Sequence, residues 1–593
     1  MTLPPRVALA ASLASTLVLA LAACTAPERE ARVLLIGEVQ GSAETSPHLG
    51  AEVRVEGVVT ATFLEGLDGF FMQSAPDEDD GDPATSNGLF VVRGLADLSH
   101  VQPGQRVQVQ GEVLELGRDG ETLTAIRADG LGDLGRASVV PALVQAPPTD
   151  PGDWARLEGM LVRIEAPLTV SGNGGLLRFG ELVASFDGRL YQPTELHPPG
   201  PAAEEEARRN ARVRLLLDDG SDAEWPGAIA YLPDPPDHSA PLRVGSMLGP
   251  VTGVVDRRRG HYRLIPTQPL EIAEQAGRPV PPRIEGGLQL AALNLENLFN
   301  GDGRGGGFPT ERGAPTPELF AIQQAKLVAT LQALDVDIVA LSEIENDGRG
   351  DDTALAGFVD ALNAAGPVRD WSHVDYGPGP GNDAIRVGLI YRSSRVRPHG
   401  APLSSAAPVF AWGSRPPLGQ AFQTSEGSSW LVISNHFKSK GGCPDAAHPQ
   451  ARPGDADQAD GQACWNAHRV AAAEALADWI DSDPAGIGSE NTIILGDLNS
   501  YGQEDPLRAL QARGWQDALL AAGMERPYSY VFNGLSGRLD HALVHESRLD
   551  RVRDAAIWHA NADEHAGFGY ESDDSRRAWR SSDHDPLLLG IDP

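Results

Sequence analysis

Between residues 288 and 593, short apolar runs of strand length stop at, or start from, clusters of polar side chains, and this pattern constrains the fold more than any other feature of the chain. Asn294 follows Ala291-Ala292-Leu293, and Glu343 follows Ile338-Val339-Ala340-Leu341-Ser342. Asn435-His436 follows Leu431-Val432-Ile433-Ser434, with Lys438-Ser439-Lys440 next. Asp497 and Asn499 close Ile493-Ile494-Leu495-Gly496, and Asp540 lies in Gly537-Arg538-Leu539-Asp540-His541. Ser582-Asp583-His584 precedes Pro586-Leu587-Leu588-Leu589, so an antiparallel last strand would bring all six clusters to one edge. Strand ends on a rigid sheet are where a fold can hold catalytic groups in register.

Helical patterns separate these runs. Leu327, Leu331 and Leu334 share one face of Gln323–Leu334, and a second helix is expected near Ala467–Ile480. Upstream the texture is all-β: Val53–Val59, Gly88–Val92 and Gln105–Val113 alternate between Gly/Asp/Pro turns, as in a small barrel or sandwich. Ala202–Arg212 is the one helix candidate there, and the Pro/Gly-rich stretch Ala273–Gly287 reads as the main boundary. The expected organisation is a leader over 1–23, an all-β region over 32–275 and an α+β catalytic domain over 288–593. No repeat of solenoid or propeller period is visible.

The leader carries Arg6, an uncharged Ala/Leu/Val run from Val7 to Leu21, and then Ala22-Ala23-Cys24. The run is short for a bilayer span and has the shape of a signal peptide. Small residues leading into a cysteine resemble the lipobox of bacterial lipoproteins, so the expectation is export and lipid anchoring at Cys24, at the cell surface or outer membrane. The other two cysteines, Cys443 and Cys464, flank an Asp/Gly/Pro-rich loop, and an exported compartment permits a disulfide between them.

A net charge of −34 excludes a polybasic nucleic-acid coat at the level of the whole chain, but not an enzyme that meets phosphate through a bound cation. Of the 48 basic residues only three are lysines, and Lys438 and Lys440 lie two positions apart beside His436. The acidic run Asp77–Asp82 has its glycine one position early for an EF-hand loop and reads as a solvated hairpin loop.

Taken in order, Leu293-Asn294-Leu295-Glu296-Asn297, Leu341-Ser342-Glu343-Ile344-Glu345-Asn346, Ile385–Arg392, Asn435-His436-Phe437-Lys438-Ser439-Lys440, Gly496-Asp497-Leu498-Asn499, Leu539-Asp540-His541, Trp558–Glu564 and Ser582-Asp583-His584-Asp585-Pro586 resemble the endonuclease/exonuclease/phosphatase superfamily, specifically its bacterial extracellular-nuclease branch. Val58–Ala61, Phe70–Gln73, Thr85–Val91, Leu157–Val162 and Leu216–Gly220 resemble the OB-fold that precedes the catalytic domain in that branch.

The resemblance implies a four-layer α/β/β/α sandwich preceded by an OB-fold-like all-β region. It implies Glu343 as chief ligand of Mg²⁺ (Mn²⁺ or Ca²⁺ as alternatives), helped by Asn294 and Asp583, since Mg²⁺ takes one or two carboxylates plus waters and substrate phosphate. Asp540 would orient His584 for activating water, and Asp497 and Asn499 would orient the nucleophile and the scissile phosphate. His436 would act across the phosphate as general acid or phosphate donor, oriented by Asp383. Arg386, Lys438 and Lys440 would contact substrate, because charge developing on phosphorus rewards nearby cations.

The implied activity is metal-dependent hydrolysis of extracellular nucleic acid, DNA foremost, with no protein partner. A phosphoesterase acting on phospholipid head groups or small phosphate esters keeps the chemistry and changes the substrate, and a non-catalytic surface module is the third reading.

Overall fold

In a computed structural model the chain is described over residues 32–593, apart from 119–120, 151, 233, 377–380 and 446. The expected leader and Cys24 lie outside the described residues.

The region from residue 288 on is built on two six-stranded sheets. The first runs, in spatial order, through Trp371–His373, Ile385–Arg392, Ile338–Glu345, Leu288–Leu298, Leu587–Ile591 and Val552–Ile557. The second runs through Val396–Ser404, Arg415–Thr424, Ser429–His436, Thr492–Asp497, Asp540–His545 and Trp515–Asp517. Side chains alternate across each strand, so one sequence run feeds two cores. Leu290, Ala292, Leu587 and Leu589 face Val432, Leu495, Ala542 and Val544 of the other sheet. Ala291, Leu293, Val339 and Leu341 face the opposite way, onto helices Pro317–Leu334 and Ala354–Ala365. The outer face of the second sheet packs Leu431, Ile433 and Ile494 on helix Asn466–Asp481. The layers are therefore helix, sheet, sheet, helix.

Thr316 caps the helix Pro317–Leu334 through Leu319 N, and the capping set continues with proline at the first helical position. Strand direction sets the active edge. Leu288–Leu298 is parallel to Ile338–Glu345, and Ser429–His436 is parallel to Thr492–Asp497. Leu587–Ile591 and Asp540–His545 run antiparallel to their neighbours, so their first residues meet the other strands' last ones. The buried Ser434 hydroxyl donates to Leu341 O (3.0 Å), tying the two sheets together near that edge.

The all-β region consists of two units with separate cores. In the first, Glu52–Phe63, Gly69–Gln73, Gly88–Arg93, Glu121–Arg136 and Gln105–Arg118 pair in that order, and the last returns to the first, closing a five-stranded barrel. In the second, the nine-stranded sheet curls back on itself. Leu161–Ile164 and Leu168–Gly172, consecutive in sequence, pair respectively with Val251–Asp256 and Met247–Leu248. Besides an edge strand paired in parallel in each unit, Val33–Leu34 with Glu52–Phe63 and Ala142–Val144 with Leu161–Ile164, each has one parallel pair inside its closure at the equivalent place: Gly88–Arg93 with Glu121–Arg136, and Arg214–Leu217 with Arg263–Pro266. The same strand order thus occurs twice without a repeat legible in sequence, because topology is shared and side chains are not. Helix Pro201–Val213 occupies the polar stretch expected to be helical.

Candidate active site

The shared edge gathers Asn294, Glu343, His436, Asp497, Asn499, Asp540, Asp583 and His584. Register does much of this: His436 is the backbone partner of Asp497, and Asp497 of Asp540. Gly496 allows that approach, since its φ is +115° and a Cβ there would stand 2.4 Å from Asn435 O.

Asp540 Oδ2 accepts the hydrogen of His584 Nδ1 at 2.7 Å and that of Ser529 Oγ at 2.8 Å. Burial opposes charge on His584, but Asp540, Asp583 and Asp497 outweigh it and hold the imidazole pKa well above its ordinary value. The ring of Tyr530 lies 4.7 Å from that of His584. His436 is the opposite case: burial, Arg415 and His584 push it well below the ordinary value. Its Nε2 faces Arg415 Nη1 at 3.3 Å, and since guanidinium only donates, Nε2 is the acceptor and Nδ1 carries the proton.

Asp497 Oδ1 accepts from Asn499 N (2.7 Å), while Oδ2 accepts from Asn499 Nδ2 (3.2 Å) and Asn294 Nδ2 (3.4 Å). Burial, with Asp540 adding to it, raises its pKa to about 7. Glu343 Oε2 accepts from Asn297 N at 3.1 Å, and burial and Asp583 raise its pKa. Four non-glycine residues here have positive φ: Glu296 (52°), Asn297 (57°), Glu343 (60°) and Asn499 (48°). Backbone held in this region costs ~1–3 kcal/mol per residue, and such strain clusters at functional sites. Gln323 of the first helix stabilises the turn by donating to Glu296 O at 2.9 Å.

Three expected substrate contacts are engaged elsewhere. Lys440 pairs with buried Glu504 at 2.5–2.6 Å and donates to Gln462 O. Lys438 donates to Ser439 O and Oγ (3.1 Å) and lies 5.2 Å over the ring of Trp465, and burial lowers its pKa to about 8. Arg386 is buried and donates to its neighbour Val387 O. Asp383 does not touch His436. It pairs with Arg415 (3.0 Å), which lies between them. Cys443 and Cys464 are disulfide-bonded, with Cα atoms 5.2 Å apart.

Two residues escape sequence reading. Arg415, opposite His436 across an antiparallel pair, is the cation nearest that histidine, and only the register reveals it. Glu296 joins the acidic cluster, its pKa raised to about 8 by burial and Asp583 against the pull of Arg580. Its place between Asn294 and Asn297, with Leu295 intervening, was the only signal for it.

Residues 294–584 match the Endonuclease/Exonuclease/phosphatase family, and residues 147–275 match a domain of unknown function, DUF8508. No curated protein matches the chain. Among solved structures, an endonuclease/exonuclease/phosphatase from Bacteroides vulgatus is 13% identical, covering 51% of this chain and 97% of that one, with a TM-score of 0.34. A mannosyl-6-phosphatase of Bacteroides thetaiotaomicron is 14% identical over 51% of this chain and 99% of its own, with a TM-score of 0.34. D. rerio TDP2 complexed with a single-strand DNA product is 17% identical over 51% and 97%, with a TM-score of 0.31. The C-terminal region of the chain, residues 294–584, is an Endonuclease/Exonuclease/phosphatase family domain.

Proposed function

We propose that this domain is a divalent-metal-dependent phosphodiesterase that hydrolyses nucleic acid, DNA foremost. The observation that carries the reading is the pair of buried histidines pushed in opposite directions across one acidic centre, His584 up and His436 down. Titratable groups whose environments separate their pKa values take different roles, here a base at His584 and a neutral group on the phosphate side at His436.

The neighbouring Asp583 raises the cost of ionising Glu343, and among the described residues no lysine or arginine pairs with Glu343. Among the described residues no three His, Cys, Asp or Glu side chains are grouped to hold an ion alone. Two carboxylates with an amide fit a hard ion that keeps waters and takes phosphate oxygens. Glu343, Asp583 and Asn294 would hold it, and bound there it would supply positive charge to the phosphate and offset the carboxylates that favour imidazolium at 584.

In this reading neutral His584 takes the proton of the attacking water at Nε2 while Asp540 stabilises the resulting imidazolium through Nδ1. The water oxygen bonds to phosphorus, the P–O bond to the leaving group breaks, and the leaving oxygen takes its proton from solvent. Asn499 orients the phosphate, and Arg415 brings positive charge to it while the neutral His436, whose Nε2 accepts from Arg415, holds that guanidinium in place. Asp497 fixes Asn499 through both of its bonds.

The closed five-stranded barrel supports an OB-fold-like first unit. Its residues 33–136 carry 18 acidic side chains against 6 basic ones, so this barrel by itself offers no net attraction for a polyanion. The half-buried rings of Trp412 and His448, tilted against each other and against the buried Trp465 beside Lys438, leave aromatic surface at this edge, which favours a polynucleotide over a small ester because bases stack on such rings.

Purified protein should nick circular plasmid or degrade linear DNA or RNA with Mg²⁺ and stop on chelation. No cleavage of any of the three, or cleavage indifferent to chelator, overturns the assignment. We also propose export and lipid anchoring at Cys24. Among the described residues no helix is long and apolar enough to cross a membrane. Cys24→Ser should release the protein from the membrane fraction or leave it as precursor, and unchanged fractionation removes the anchor.

A further inference from the structure

The segment from Arg189 to Glu195 of the second β unit bonds at several points to loops that carry active-site residues. Gln192 N donates to Ser536 O (2.9 Å) and Ser536 N to Leu190 O (2.8 Å), a single parallel bridge that sets Tyr191 against the hairpin of Tyr530–Phe532 and Leu535–Gly537. That hairpin springs from Ser529, which bonds Asp540, and Tyr530, which lies against His584. On its far side the buried Ser171 hydroxyl donates to Gly534 O at 2.6 Å. The backbones meet there so closely that a Cβ on Gly172 would stand 2.6 Å from Gly534 Cα.

Glu195 is the centre of this contact. Its carboxylate accepts from Arg538 N (3.0 Å), Arg538 Nε (2.8 Å) and Gly502 N (3.0 Å), with its side chain 2% exposed. Arg538 stands two residues before Asp540, and Gly502 three after Asn499. One carboxylate from the second unit therefore fixes the two loops that end in catalytic groups. Arg538 is held from its other side by Asp517. The next residue back, Thr194, accepts at its carbonyl from Gln503 N (2.9 Å) and donates its hydroxyl to Glu504 (2.9 Å), the partner of Lys440. A polar network buried in this way rigidifies what it joins.

We propose that the second β unit, the region matching the domain of unknown function, is an internal scaffold of the active site, with Glu195 as its positioning residue. Glu195 touches neither substrate nor reacting atoms. It acts through Arg538 and Gly502 on Asp540 and Asn499. Only the kinetic consequence rests on the phosphodiesterase reading above.

The test uses the full chain carrying Glu195→Gln, Glu195→Asp, or Glu224→Gln as a control in the exposed pair with Arg178. For Glu195→Gln, kcat on plasmid should fall about 10- to 100-fold, the effect of ångström-scale misplacement, with KM within about twofold. Glu195→Asp, which keeps the charge, should recover part of the loss, and Glu224→Gln should match wild type. Hydrogen exchange of amides 529–540 should quicken in Glu195→Gln while those of Pro317–Leu334 stay as they were, which a general loss of structure would not produce. Combined with Asp540→Asn, the loss should be less than multiplicative. Wild-type turnover together with wild-type exchange over 529–540 overturns the scaffold. Local loosening in a protein whose wild type cleaves no phosphodiester keeps the scaffold and overturns the phosphodiesterase reading. If Glu195→Gln does not fold, Glu195→Asp is read by the same criteria.

Discussion

Asp540→Asn changes one atom in the buried pair on which water activation depends. Oδ2 receives both His584 Nδ1–H (2.7 Å) and the Ser529 hydroxyl (2.8 Å), so an asparagine that turns its carbonyl to the same place keeps both bonds and loses only the charge. The lower bound of the loss is the excess of a charge-assisted bond over a neutral one, about 1.5 kcal/mol. The upper bound is the Coulomb attraction between carboxylate and imidazolium about 4 Å apart, ~4 kcal/mol at an effective dielectric of 20. At ~1.4 kcal/mol per decade, kcat should fall roughly 10- to 1,000-fold. His584→Ala should cost ~10²–10⁴-fold, the usual worth of a positioned base. Because the two act as a unit, the double mutant should be scarcely slower than the worse single one. Initial rates on supercoiled plasmid at saturating Mg²⁺, with near-UV circular dichroism as a fold check, measure this. Fully multiplicative losses, or an Asp540→Asn enzyme at wild-type rate, would refute the pair as the water-activating device.

Glu343→Gln should raise the Mg²⁺ concentration needed for half-maximal activity, whereas His584→Ala should leave it nearly unchanged; a shift in both, or in neither, contradicts the separation of metal and proton roles. His436 is held neutral by burial and Arg415, so His436→Ala should slow a nitrophenyl phosphodiester as much as DNA. A loss that shrinks for the good leaving group would instead make His436 the general acid. Glu158, buried where the two β units meet and bonded by Thr124 N, has a folded pKa of about 7 against 4.5 for the free side chain, chiefly through burial. A raised carboxyl pKa means the folded state binds more protons between these values, so its stability is full below about pH 4.5 and falls by ~3 kcal/mol as pH rises through 7. Glu158→Gln should therefore gain in melting temperature over wild type as pH goes from 4.5 to 8, and a constant difference across that range refutes the burial argument.

Strand position and strand-end chemistry were legible in residue order, because an apolar run of period two and the polar residue that stops it are both local. Asn294, Glu343, His436, Asp497, Asn499, Asp540, Asp583 and His584 were readable for that reason. What lies between them in space was not. Arg415 enters the site only because antiparallel register sets it opposite His436, and Glu296 only because a left-handed turn swings it in beside Asp583. The pairing of Lys438 and Lys440 suggested substrate, yet Glu504, far along the chain, claims Lys440. The recurrence of one barrel order upstream left no sequence period, since closure depends on which backbones pair and not on which side chains they carry. Residue order therefore determined the chemistry of the catalytic edge. The tertiary structure decided its charge balance and its dependence on Glu195, because buried ion pairs form between groups that chain folding, and not sequence distance, makes neighbours.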